Sequence, residues 1–190
     1  MGTITPNVIG FDDAPFAREH RGDIRLIGIV CSRTRADGVL SDWVRRDGRN
    51  STEVMARMIE RGPFARHVRA VFLQGIAVAG FNVVDVRALH DRLRIPVIAV
   101  VRREPDWAAI RRALSHRPAA ERKWRLIRGA GPLERVPELP GIHVQRVGAT
   151  LLEVRELLEK TTLHGNLPEV LRLAHLVAGG VTTGVSRGRA

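Results

Sequence analysis

Val8-Ile9-Gly10-Phe11-Asp12-Asp13-Ala14-Pro15-Phe16 decides how the rest of the chain is read. An apolar run of strand length ends on two adjacent carboxylates. A core holds an unpaired charge only at a cost of several kcal/mol or with a pKa shift that neutralises it. The pair therefore needs a cation, a cage of hydrogen bonds or an open cleft. Asp-Asp before Ala-Pro also reads as turn chemistry, an aspartate bonding its own backbone ahead of a fixed proline. The surrounding elements decide between the two.

Working outward, Ile24-Arg25-Leu26-Ile27-Gly28-Ile29-Val30 reads as a second strand, and Arg35-Ala36-Asp37-Gly38 offers an Asp-Gly hairpin turn into a third strand over 39–44. Asn50 and Glu53 sit in capping-box positions at the head of a helix whose apolar face is Val54, Met55, Met58 and Ile59. Gly62-Pro63 stops it. Residues 68–74 form a fourth strand, and the loop 75–80 leads into a helix from about Asn82 to Arg94. The run 95–101 is short and apolar, as a parallel strand covered on both faces should be.

Pro105 suits the first turn of a further helix, a Gly/Pro-marked connector spans 129–140, and 142–147 reads as a sixth, edge strand. Two closing helices carry the cap pairs Thr150 with Glu153 and Asn166 with Glu169. The Gly/Ser/Arg-rich stretch 182–190 reads as a flexible tail on a single domain spanning 1–190.

Three antiparallel strands followed by helix, strand, helix, strand and helix constrain the closure. Crossovers to parallel strands are right-handed, so strands four and five lie beside strand one in the order 3-2-1-4-5. This is an α/β, ribonuclease H-like three-layer fold with a mixed sheet. It sets the ends of strands one and four side by side, where open α/β sheets gather ligands. Asp12 then stands where chemistry belongs.

Composition narrows the partner. The 31 Lys and Arg residues against 20 Asp and Glu leave a net charge of +11, which favours a polyanion, and nucleic acid leads. A general arginine bias is the plain alternative. Between Arg102 and Arg128, however, nine basic residues stand against three acidic ones, with Trp107 and Trp124 among them. That mixture suits either a nucleic-acid surface or a solvated helix pair with core tryptophans. The one cysteine, Cys31, excludes an internal disulfide and a cysteine-based zinc site. No run has the ~18 apolar residues of a membrane span. With no secretory signal visible either, a cytoplasmic protein without a membrane partner is expected.

Phosphodiester cleavage at such a strand end uses carboxylates to hold Mg²⁺ or Mn²⁺. Asp12 is the first candidate. Glu53 is a second, although it equally reads as a cap residue paired with Arg57, and Asp47 before Gly48 is an alternative. The end of strand four offers only Gln74. Asp85, between Val84 and Val86, is the nearest replacement, or an ordinary helix-start carboxylate.

Four stretches together resemble the archaeal endonuclease dU family and, more distantly, endonuclease V. They are 10–16, 75–85 (Gly-Ile-Ala-Val-Ala-Gly-Phe-Asn-Val-Val-Asp), 96–102 and 163–175. The resemblance implies a ribonuclease H-like core and metal-dependent nicking of DNA at or near deoxyuridine or other deaminated bases. It matches Asp12 to the strand-one aspartate, Glu53 approximately to a glutamate, and Arg102 to a lysine after the fifth strand. Pro168-Glu169 with Arg172 matches a closing signature. Two positions depart from endonuclease V, Gln74 for an aspartate and Gly148-Ala149 for Gly-His, and Ala14 departs from the glycine usual in the dU family.

The expected site is therefore Asp12, Glu53, Asp85 and Arg102 for catalysis, with Asp12, Asp85, Glu53 and Asp47 around Mg²⁺ or Mn²⁺. Asp13, Phe16, Gln74, Phe81, Asn82, Arg103 and Arg172 are expected at the substrate. Phe16 or Phe81 would pack on an extruded base, or else belong to the core. The partner is DNA, with RNA as the alternative. A non-catalytic nucleic-acid-binding protein on the same fold is the competing reading, and a hydrolase acting on small phosphorylated molecules is a third.

Overall fold

The computed structural model describes residues 6–186. Strands β1 (Asn7–Asp13), β2 (Asp23–Ser32) and β3 (Arg35–Arg45) form an antiparallel meander. Helix α1 (Ser51–Arg61) leads to β4 (Ala70–Gln74), which pairs parallel with β1. A small hairpin of β5 (Ala77–Val78) and β6 (Asn82–Val83) precedes α2 (Val86–Leu93) and β7 (Val97–Val101), parallel to β4. Then come α3 (Trp107–Ser115), α4 (Ala120–Gly129), β8 (Glu134–Arg135), β9 (His143–Val147), α5 (Leu151–Thr161) and α6 (Glu169–Thr183). The main sheet has the order β3-β2-β1-β4-β7-β9-β8. The order expected for the first five strands is present. The sixth is not the edge, because β8 arises within the 129–140 connector and pairs outside it.

Alternation along the strands builds three layers. Ile9 and Phe11 of β1 and Leu73 of β4 point into a core closed by α1 and α2 with residues of α3 and α4. Val8, Phe72, Ile98 and Val144 point into a second core under α5 and α6. Gly10 lets α6 sit close to β1: a Cβ there would lie 2.9 Å from Cγ1 of Val170. That close approach carries the later residues of α6 to the end of β1.

Several local expectations shift, each for a physical reason. The β2–β3 turn falls at Arg33 and Thr34, with Arg33 in the left-handed region at φ 56°. Asp37-Gly38 lies inside β3, where the register slips opposite Val30 and Cys31, so this Asp-Gly accommodates a bulge and not the turn. Asn82 begins no helix. It is in β6, and α2 starts only after Asp85, whose side chain accepts from Ala88 N–H at 3.0 Å. Asn50 makes no side-chain cap, because its Oδ1 accepts from Arg45 N–H at 3.0 Å and from Asn82 Nδ2 at 2.8 Å. The α1 start is satisfied instead from a distance, Asn82 Oδ1 accepting from Ser51 N–H at 3.1 Å.

Asp106 caps α3, one residue after Pro105. The Thr150–Glu153 capping box forms. Asn166 does not cap α6; it donates to Pro140 O at 2.9 Å across the connector. Of the expected tail, Thr182 and Thr183 are helical, Gly184 closes α6 in the left-handed region, and 187–190 lie outside the described residues.

Candidate active site at the end of the central strand

The parallel strands β1, β4 and β7 end side by side: Phe11 pairs with Leu73, and Gln74 with Val100. Because Phe11 and Leu73 face the α1–α2 core, Asp12 and Gln74, one residue on, face α6. There Asp12 Oδ2 lies 2.9 Å from Nδ1 of His175, and Oδ1 accepts the Asp13 N–H at 2.9 Å. Burial pushes the Asp12 pKa above the usual carboxylate range, and the hydrogen bonds from His175 and Asp13 act in the opposite sense. With Asp12 ionised, His175 Nδ1 carries the bonding proton, so in a neutral ring the lone pair lies on Nε2. Gln74 adds a buried Oε1 with no hydrogen-bond partner. A buried acceptor left bare costs about 1–3 kcal/mol, so this oxygen has unused acceptor capacity beside Asp12.

Asp13 turns to the other face. Burial, with the neighbouring Asp12 charge, pushes its pKa up to about 6, against the opposing influence of the Ala79 backbone amide. The two carboxylates that looked alike in sequence thus face opposite layers, one toward α6 and one toward the loop after β4.

The remaining carboxylates expected at the metal are not brought to Asp12. Asp47, in the left-handed region at φ 53°, accepts Phe81 N–H at 2.9 Å and Arg117 Nη1 at 3.0 Å, while Lys123 Nζ donates to its carbonyl at 2.5 Å. Gly80 is required beside it, since a Cβ there would lie 2.6 Å from Asp47 Oδ1. Glu53 is 60% exposed and pairs with Arg92 at 2.5 Å, and Arg92 also grips Glu60. Asp85 caps α2 and borders a hollow with Asp91 and Arg125. Among the described residues no three His, Cys, Asp or Glu side chains gather around one point. The four-carboxylate site does not assemble, because three of its members are engaged by nearby cations or backbone amides. What remains at this strand end is a smaller oxygen set, the Asp12 carboxylate and the buried Gln74 Oε1, of the donor type that a hard cation takes.

The expected substrate residues divide in the same way. Asn82 is fully buried and bonds Ser51, Asn50 and Arg45, so it braces the α1 start and is closed to a substrate. Phe16 and Phe81 pack half-buried against the α1–α2 core. Arg172 chelates Glu169, its Nε 2.8 Å from Oε2. Arg102 and Arg103 are exposed just after β7, at the same sheet end as Asp12. They form no ion pair among the described residues, and neither do Arg111, Arg112, Arg122, Arg125 and Arg128, all exposed. Trp107 and Trp124 are half-buried on the core, so the basic segment is a helix pair with core tryptophans that presents unpaired arginines.

His175 is the partner of Asp12 that the site expected from sequence omitted. Its signal was present: Arg172 and His175 stand at i and i+3 on a helix otherwise rich in Leu, Val and Ala.

The endonuclease dU family model matches residues 5–182 of this chain. The chain belongs to the endonuclease dU family. A UPF0215 protein of Deinococcus radiodurans is 51% identical over 184 residues, covering 96% of this chain and 92% of the relative. A crystal structure of a protein of unknown function from Archaeoglobus fulgidus superposes with a TM-score of 0.85 at 29% identity, covering 92% of this chain and 97% of that one. Endonuclease V of Ciona intestinalis, in complex with a DNA containing an inosine followed by a ribo-adenosine, superposes with a TM-score of 0.56 at 13% identity, over 88% of this chain and 82% of that one. That likeness concerns the fold. The endonuclease dU chain therefore has a ribonuclease H-like α/β architecture, with Asp12, Gln74 and His175 at its switch point. Among its described residues, no helix is long and apolar enough to cross a membrane.

Proposed function

We propose that this protein is a divalent-metal-dependent endodeoxyribonuclease that nicks DNA at or near deoxyuridine or another deaminated base. The observation that carries the reading is the Asp12–His175 contact of 2.9 Å at the end of β1, beside the bare Gln74 oxygen. Family membership and the unpaired arginines support it. Asp12 and Gln74 would hold the cation. That ion supplies Lewis acidity toward a phosphate oxygen and a water.

The chain's own groups do the rest. Asp12 fixes the His175 ring and leaves Nε2 to accept a proton from the attacking water or return one to the leaving oxygen. Arg102 and Arg103 neutralise phosphate charge at the same end of the sheet. The arginines of α3 and α4 carry the flanking backbone, so affinity falls steeply with salt. Asp13 stays beside the site as a support for the loop after β4.

End-labelled DNA bearing one deoxyuridine, incubated with Mg²⁺, Mn²⁺ or EDTA, tests this. Wild type nicks with metal, EDTA stops it, and Asp12→Asn leaves no nick above background. Absence of a metal-dependent nick, or an equal nick by Asp12→Asn, overturns the reading. Salt-sensitive DNA binding without cleavage establishes the alternative of a binding protein. That alternative draws on the lack of a cage of three ligands among the described residues.

A further inference from the structure

The face of β3 that shares a side with Asp12 is uncovered. Val39, Ser41 and Trp43 project there and are exposed. Trp43 is 49% exposed, the one aromatic among the large exposed hydrophobics of the described residues. Arg25 pairs with it across β2, laying its guanidinium 4.2 Å from the ring centroid, and bonds Ser41 Oγ at 3.2 Å. The pair forms one wall of a cleft of about 480 Å³, closed by Phe16 and by Val181 and Thr182 at the end of α6. The opposite wall is built, not slack. Arg46 donates to the carbonyls of the loop before β2, 2.6 Å to Arg18 O, and lies 5.1 Å from the Phe16 centroid.

This cleft adjoins the candidate active site. Ala14 lines it and donates its N–H to Arg25 O at 2.8 Å, and Arg25 pairs with Trp43. Two strand spacings, roughly 10 Å, separate Ala14 from Trp43. The surroundings are net cationic: Arg18, Arg21 and Arg25 stand against Glu19, while Arg45 and Asp23 pair with each other at 3.5 Å. A second copy of a chain with net charge +11 would bring like charge, whereas a polyanion is drawn in.

We propose that the Arg25–Trp43 pair is a stacking platform for an unpaired nucleobase, beside the candidate site at Asp12, and that the occupant is a single-stranded stretch of nucleic acid. The assignment rests on the nuclease reading for its direction. Aromatic faces accept any base, so the platform sets strand position and not sequence.

The test is binding of a fluorescently labelled single-stranded oligonucleotide by anisotropy, without metal. Trp43→Ala weakens binding roughly 5–150-fold, and Trp43→Phe, which keeps an aromatic face, stays within about threefold. On an oligomer whose bases are replaced by abasic sites the Trp43→Ala deficit disappears. Equal binding by Trp43→Ala and wild type overturns the platform, even if Asp12→Asn has abolished nicking. An equal deficit on the abasic oligomer also overturns it. So does a dimer in sedimentation that dissolves in Trp43→Ala with oligonucleotide affinity unchanged, since the face then belongs to a second copy. A base-dependent deficit in a protein that nicks nothing leaves the platform standing and removes the nuclease reading alone.

Discussion

Asp12 and Asp47 are both half-buried carboxylates at strand ends, and the structure treats them in opposite ways. Asp47 is saturated: an amide N–H on one oxygen, Arg117 and Arg46 on the other, and a buried lysine on its carbonyl. It knits the end of β3 to the β5–β6 hairpin and to the α3–α4 region. Asp12 has one amide, one histidine and a bare amide oxygen for company, and burial raises its pKa. A carboxylate whose surroundings only partly compensate its charge is poised to take a further partner. The contrast separates an acid occupied by the fold from a candidate for chemistry more clearly than residue type or neighbourhood in sequence does.

The sharpest way to break the contrast is at His175. His175→Ala should lower single-turnover nicking by roughly 10²–10⁴-fold at neutral pH. Asp12→Asn/His175→Ala should be no worse than the more damaging single change, because the two act as a unit. Additive losses would show that they do not.

Next comes Asp47→Ala, which leaves Arg117 and the Phe81 N–H without their acceptor and Arg46 without its ion-pair partner. Urea denaturation should show a loss of about 2–4 kcal/mol; a loss below about 0.5 kcal/mol would erase the distinction from a surface acid.

Asp13→Asn should stabilise instead. The folded-state pKa of Asp13 is raised from 3.8 to about 6, so its contribution is present below about pH 4 and lost as pH rises through 6. The asparagine variant should therefore be more stable than wild type in urea at pH 7, by up to roughly 3 kcal/mol, and equally stable at pH 4. An unchanged difference across that window would contradict the burial argument.

The smallest effect belongs to Asp85→Ala, which removes a helix cap worth about 1 kcal/mol. Its nicking rate should stay within about twofold of wild type. A hundredfold fall would return Asp85 to the metal site.

Much of the architecture was legible because it rests on local patterns. The strand order followed from the succession of elements and the handedness of crossovers, and the Thr150–Glu153 cap from spacing alone. The readings that moved are those where a distant residue competes for a local group. Asn82 takes the cap of α1 from Asn50 across 31 positions from Ser51, and Asp47 is claimed by Arg117 from 70 positions away. A bulge displaced the hairpin turn for the same reason, since the register of β2 on β3 is settled by both strands together.

By itself the sequence determined the fold class, the family, the basic balance of charge and the place of Asp12 at the end of a central strand, since strand and helix periods, turn residues and net charge are properties of neighbours along the chain. Only the tertiary structure decided which side chains share the site. Gly10 lets α6 close on β1, and that contact sets His175 against Asp12 across 163 positions of sequence. The same packing spends Glu53, Asp47 and Asp85 elsewhere. Side-chain partnership depends on which faces meet when layers pack, and no local pattern carries that information.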